Sequence, residues 1–214
     1  GQQQQQLWSK CVSGVMVVLL SSAVVAFGLC LAVFPTHVRG GKLHDVARGD
    51  NVKELEALSE DLVKTELNTQ EPGSGQTPLM AATLAGAAKS VQFLLSKGAD
   101  TTIGEKDGYT PFHGAGFQGR AEVAKHLLAH RLNPSERHTD GFTPLHRACW
   151  GREQRHTDMV RFMLKKASVD PEEKDPNGRT CMEMTGNENT KRYIKKFVEK
   201  KRQKAEKASS GGEL

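Results

Sequence analysis

Three segments, "QTPLMAATLAGAAKSVQFLLSKGAD", "YTPFHGAGFQGRAEVAKHLLAHRLN" and "FTPLHRACWGREQRHTDMVRFMLKKASVD", place Thr77, Thr110 and Thr143 at a constant spacing of 33 residues. A unit of that length cannot enclose a core alone, so neighbouring units must stack to bury their apolar faces. Each unit predicts the order turn, helix, turn, helix. Thr at the N-cap satisfies orphan amides, and Pro at the first helical position presets the backbone, so every "TP" starts a helix. The leucine pairs Leu94-Leu95 and Leu127-Leu128 mark a second helix, and Gly98 in "SKGAD" stops it. Asp-Gly at 107-108 and 140-141 supplies a tight turn before the next unit. A fourth start at Thr180 comes 37 residues after Thr143. The four extra residues are assigned to the turn between helices near "REQRHT" and to the connector at "KKAS". Upstream, Leu43, His44 and Ala47 in "KLHDVARGDNVKELEALSEDL" echo the same wording and predict a degenerate first unit.

This period and wording resemble the ankyrin repeat. The resemblance covers about residues 42–198 and implies an all-α helix-turn-helix solenoid with short β-hairpin fingers, whose concave face binds proteins. It implies a scaffold rather than an enzyme, although a fold alone never names the partner. The residues themselves agree: no Gly-rich phosphate loop, His-Glu-x-x-His or nucleophile elbow occurs, so no catalytic residue and no cofactor is assigned. "DPEEKDPNG" lacks calcium-loop spacing. His113 and His146, in "TPFH" and "TPLH", read as hydrogen-bonding fixtures of the scaffold. His126 and His130 are four apart on a helix but have no third ligand, so no metal site is assigned.

Residues 11–34 form 24 positions without a charge, where crossing a bilayer takes roughly 20. They predict one N-terminal transmembrane helix, because the apolar run continues past the length of a signal-peptide core. Lys10 precedes it, whereas Arg39, Lys42, Arg48 and Lys53 follow it, which predicts repeats on the cytoplasmic side. The expected organisation is a Gln-rich segment over 1–10, the span over 11–34, a linker over 35–41, repeats over 42–190 and a basic helix with tail over 191–214. Cys11 and Cys30 fall within the span; Cys149 and Cys181 read as reduced, packed thiols.

Charge is concentrated at the end. Residues 191–207 carry nine Lys/Arg against two Glu, while residues 35–190 carry 20 basic and 22 acidic groups. Ile194, Phe197 and Val198 keep helical spacing and suit a cap on the stack. Lys195, Lys196, Lys200 and Lys201 are then candidates for contact with anionic lipid. Nucleic acid is disfavoured, since no groove-reading motif accompanies the charge.

Aromatic residues also recur with the period. In the helix after Thr110, Phe112, Ala115 and Gly116 make the apolar stripe, and at about 100° per residue Phe117 lies roughly 140° from Phe112. Trp150 and Leu84 hold the same place in adjacent repeats. Tyr109 and Phe142 precede the N-caps, where a hydrophobic staple would need Gly114 or Arg147 as partner. Placed on the concave face by the family resemblance, Tyr109, Phe117, Phe142, Trp150 and Leu84, with the fingertip residues Asp107 and Asp140, form the candidate partner-binding set. The functional expectation is a membrane-anchored adaptor that binds a protein at a membrane surface; the alternative is a structural accessory subunit of a membrane protein complex.

Overall fold

The computed structural model describes residues 40–210, with side chains described through residue 207, all within the Thr36–Leu214 unit. The segment 1–10, the expected span 11–34 and nearly all of the linker lie outside the described residues. Among the described residues no helix is long and apolar enough to cross a membrane.

Eleven helices follow in the described chain. The first unit contains α1 (Lys42–Arg48), α2 (Val52–Glu56) and α3 (Glu60–Glu66). Then come four pairs: α4 (Pro78–Ala85) with α5 (Ala88–Ser96), α6 (Pro111–Gln118) with α7 (Ala121–Ala129), α8 (Pro144–Cys149) with α9 (Gln154–Lys165), and α10 (Cys181–Met184) with α11 (Glu188–Ser210). Local chemistry sets these starts. Thr77 Oγ1 accepts the Met80 N–H at 3.2 Å. Thr143 and His146 cap one another, the Thr143 N–H donating to His146 Nδ1 at 3.1 Å. With Nδ1 an acceptor, His146 Nε2 carries the proton and donates to the Glu173 carbonyl at 3.1 Å. His44 Nε2 bonds the Gln76 carbonyl at 3.0 Å in the same way, so at these two positions the repeated His pins a helix start to the next finger. Gly86 and Gly119 close α4 and α6 at φ 83° and 67°, a left-handed conformation that only glycine adopts cheaply.

The first helices pack in the row α1, α4, α6, α8, α10, and the second helices in the row α2, α5, α7, α9, α11. Leu79, Phe112 and Leu145, each two residues after the capping Thr, are fully buried between the rows with Leu94, Leu127 and Met163. Each such side chain contributes about 1.5–3 kcal/mol by leaving water. Polar links join adjacent units as well. Asp50 Oδ1 accepts the Lys89 and Ser90 N–H groups at 2.8 and 3.0 Å, so the first unit caps α5 of the second.

Three expectations are corrected. The β-hairpin fingers are turns without strands among the described residues, which contain a single isolated bridge, Lys174 with Thr180. The reason is loop size: the Glu105 N–H donates to the Tyr109 carbonyl at 3.1 Å and the Gly108 N–H to the Glu105 carbonyl at 2.7 Å. His138 to Phe142 and Asp175 to Arg179 repeat this closure, leaving too few flanking residues for a ladder. Three of the four extra residues of the fourth unit lengthen a helix, since α9 has 12 residues where α5 and α7 have nine, and one lengthens the connector as expected. The turn, 150–153 against 119–120, grows only as α8 shortens from eight residues to six. About one added turn of 3.6 residues keeps the buried face in register. Finally, Cys149 and Cys181 are not separate packed thiols: they form a disulfide with Cα atoms 5.6 Å apart, tying α8 to α10.

Candidate partner-binding site

The site is built where two fingers meet the start of α8. Phe142 precedes the Thr143 N-cap, and Arg147 lies one turn into the helix, at the position a staple residue would occupy. Its guanidinium carbon sits 5.0 Å from the Phe142 ring centroid and 4.4 Å from that of Trp150, at the end of the same helix. Tyr109, from the preceding finger, supplies a third ring at 4.6 Å. Arg147 Nη2 also donates to the Tyr109 hydroxyl oxygen at 2.6 Å and to Asp140 Oδ2. The Tyr109 hydroxyl donates to the same carboxylate oxygen at 2.9 Å. Phe142 and Trp150 meet edge to face at 5.0 Å. A buried Arg is tolerable here because aromatic faces, a hydroxyl and a carboxylate replace its water.

Electrostatics follow from this packing. Burial pushes the Asp140 carboxyl up, but the Phe142 N–H, His138, the Arg147 charge and the Tyr109 hydroxyl outweigh it and hold it at about 2. Burial raises the Tyr109 phenol to about 12; the Arg147 charge opposes that shift, while the bond to Asp140 adds to it. His138 stacks on Tyr109 with centroids 4.0 Å apart, and its Nε2 bonds the Asp107 carbonyl at 2.8 Å. Burial, then the charges of His138 and Arg147, lower the neighbouring His113 to about 4. Glu105, on the same finger, is raised to about 7 by burial and by Asp107.

Of the residues expected at the site, Tyr109, Phe142, Trp150 and Asp140 converge on Arg147. Phe117 is half-buried on α6, and its carbonyl accepts from His156 Nε2 at 3.1 Å. Asp107 is exposed at the fingertip. Leu84 departs from expectation: it is buried, lying over Gly114 of the next repeat, where an added Cβ would come within 3.1 Å of Leu84 Cδ2. The angle about its own helix turns Leu84 from the apolar stripe, but the missing side chain at Gly114 of the neighbouring unit decides its burial. Sequence reasoning missed Arg147 and His138. The signal for Arg147 was present in the staple position behind Phe142, although a cation filling that role is visible only with Tyr109 brought across from the other finger.

Lys195, Lys196, Lys200 and Lys201 are exposed on α11, whose Ile194 is buried and whose Tyr193, Phe197 and Val198 are half-buried. Arg161 and Lys165 of α9 lie 5.2 and 5.9 Å from the Tyr193 ring centroid, so the helix packs through an aromatic and cationic seam. Among the described residues no group of three or more His, Cys, Asp or Glu side chains is arranged to hold a metal.

Helix pairs stacked in two rows, with short fingers beside the first helices, define a repeat solenoid of the protein-binding kind. A family model for ankyrin repeats, in three copies, matches residues 43–138 and 91–175, together more than half of the chain. The chain belongs to the ankyrin-repeat family, whose repeats are protein–protein interaction modules and typically not enzymes. No curated protein matches it.

Proposed function

We propose that this protein is a membrane-anchored adaptor whose ankyrin repeats bind a partner protein at a cytoplasmic membrane surface. The observation that carries the binding part is the cluster around Arg147. Three rings from two repeats are fixed against one cation while each stays partly exposed, and rigid, partly desolvated Tyr, Trp and Arg groups are the usual anchors of interfaces. The anchoring part rests on the uncharged run 11–34 and on the basic residues that follow it. Lys195, Lys196, Lys200 and Lys201, exposed on α11, supply attraction to anionic lipid at about 1 kcal/mol per residue near such a surface.

Alanine at Phe117 and at Trp150 tests the binding site. An anchor loses about 2 kcal/mol or more of partner affinity with little change in stability. A residue that serves mainly the core instead loses roughly 3–5 kcal/mol of folding stability. Titration with denaturant alongside binding to a co-purified partner separates the two, and marked early unfolding of both variants would remove the site from this face.

A further inference from the structure

Met182 is the large apolar side chain left exposed among the described residues, at 39% of its surface. Its place in the repeat makes this informative. Met182 stands two residues after Thr180, where Leu79, Phe112 and Leu145 stand after Thr77, Thr110 and Thr143. Those three are fully buried, and each has a following unit stacked beyond it. Among the described residues no further unit stacks over Met182, so the apolar position that is covered in the other units is open to solvent.

The surroundings state what fits there. Met182 lines a groove between α10 and α11 with Glu188, Lys191, Arg192 and Lys195. Glu188 is paired with Lys191 at 3.0 Å. Arg192 and Lys195 have no acidic partner among the described ion pairs, so the groove keeps a surplus of positive charge beside Met182. One exposed apolar side chain is thus framed by cations.

From this geometry we infer that this face of the last described helix pair docks an acidic segment of a partner protein, with one apolar side chain seated on Met182 and carboxylates facing Arg192 and Lys195. A second copy of this chain, meeting the groove symmetrically, would set Arg192 and Lys195 against their own counterparts and is disfavoured by like-charge repulsion. A bilayer is the poorer fit, because one apolar side chain at 39% exposure offers little area for insertion but is enough to seat a single apolar side chain of a partner. This surface is separate from the aromatic cluster and does not depend on it.

The test uses the full 214-residue chain in neutral detergent micelles and fluorescence anisotropy of a labelled synthetic helical peptide with leucine on one face and glutamate on the other. A Glu→Gln analogue and vesicles containing phosphatidylserine serve as comparison probes. The acidic peptide binds and its Gln analogue does not. Met182→Gln, on an exposed side chain, weakens binding at least about fivefold, and Arg192→Glu with Lys195→Glu weakens it at least about tenfold, as expected for truncating apolar and charged contacts at an interface. Lys200→Glu with Lys204→Glu, outside the groove, has a smaller effect, and Trp150→Ala leaves peptide binding unchanged even if it abolishes binding at the aromatic face. Circular dichroism melts confirm that each variant is folded. Equal binding of the Gln analogue, insensitivity to Met182→Gln, equal loss from the Lys200 and Lys204 changes, or binding to vesicles without binding to the peptide would each overturn the inference.

Discussion

Arg147 shows how one buried cation organises residues that the chain places 38 positions apart. Its side chain is 7% exposed and that of Asp140 is 36% exposed, so the pair lies between an interior and a surface ion pair. Arg147→Met keeps comparable bulk without charge and leaves the Asp140 carboxylate without its cation and the Tyr109 hydroxyl without the Arg147 donor. Breaking a buried pair costs about 3–5 kcal/mol, and the exposure of Asp140 lowers the expected loss to about 3 kcal/mol or less, read from denaturant midpoints. Acid titration tests the same contact. The carboxyl of Asp140 is held at about 2, below its ordinary 3.8, so the folded state binds the proton more weakly than the unfolded chain. Its stabilisation is therefore complete above about pH 4 and is lost as pH falls toward 2, and Asp140→Asn should flatten that part of the stability profile. Glu105 has the opposite sign. Held at about 7 against an ordinary 4.5, it takes a proton more readily when folded, so stability declines as pH rises from about 4.5 to 7. Glu105→Gln should abolish that decline and be more stable than the parent at pH 8; an unchanged slope would remove Glu105 from the account. Much of this cluster was legible: the 33-residue period put Tyr109, Phe142 and Trp150 in register, and helical angle turned Phe117 from the core stripe. Arg147 and the burial of Leu84 were not, because both depend on a side chain present or missing in an adjacent unit, and periodicity along one helix carries no record of that.

At the level of elements, the first helices shorten along the stack, from eight residues in α4 and α6 to six in α8 and four in α10. The last pair therefore has little first-helix surface to bury, and it has lost the Pro that opens α4, α6 and α8, with Cys181 in its place. Earlier in the array the same contact joins Gly116 to Pro144, where an added Cβ would collide with the Pro144 carbonyl. Between α8 and α10 the two positions are cysteines joined across 32 residues of sequence, and the disulfide replaces close backbone approach as the tie. Loop entropy for a closure of that length predicts a loss of roughly 3–4 kcal/mol on Cys181→Ser. Because stacked units are coupled chiefly to their neighbours, hydrogen exchange should quicken in α10 and α11 and stay unchanged in α4 to α7. Uniform acceleration along the chain would show that the tie serves the whole array instead. The starts of α4, α6 and α8 were readable in the Thr-Pro pairs, although the Thr110 side chain caps no backbone N–H and bonds His113 Nδ1 instead. The extra turn of α9 was not, since adding about 3.6 residues preserves a helical face as well as lengthening a loop does, and thiol spacing says nothing of pairing until neighbouring first helices are laid side by side.

Across the molecule the repeats are nearly balanced in charge while α11 is strongly basic, and that contrast is the basis of the proposed attraction of α11 to anionic surfaces. Replacing Lys195, Lys196, Lys200 and Lys201 with Gln should weaken association with anionic vesicles, more at low salt than at high, since screening already suppresses the attraction at high salt. Orientation is the property on which two observations pull apart. Four basic residues after the run 11–34 against one before it favour repeats on the cytoplasmic side, where thiols are kept reduced and a disulfide is usually transient. The disulfide between Cys149 and Cys181 is stable in an oxidising compartment. The structure holds the pair closed, and a reducing cytoplasm would open it to a dithiol. Acid quenching of intact cells, followed by alkylation under denaturing conditions before any reduction, should then label both Cys149 and Cys181. In parallel, an Asn-x-Thr acceptor engineered into the "EPGSGQ" loop should remain unglycosylated, and protease added outside sealed vesicles of known sidedness should reach the repeats only from the cytoplasmic face. Glycosylation together with a fully oxidised pair would reverse the orientation while leaving the repeat surface intact. The two readouts are independent, one covalent chemistry at Asn and the other at Cys, so their agreement decides the compartment more firmly than the charge count can.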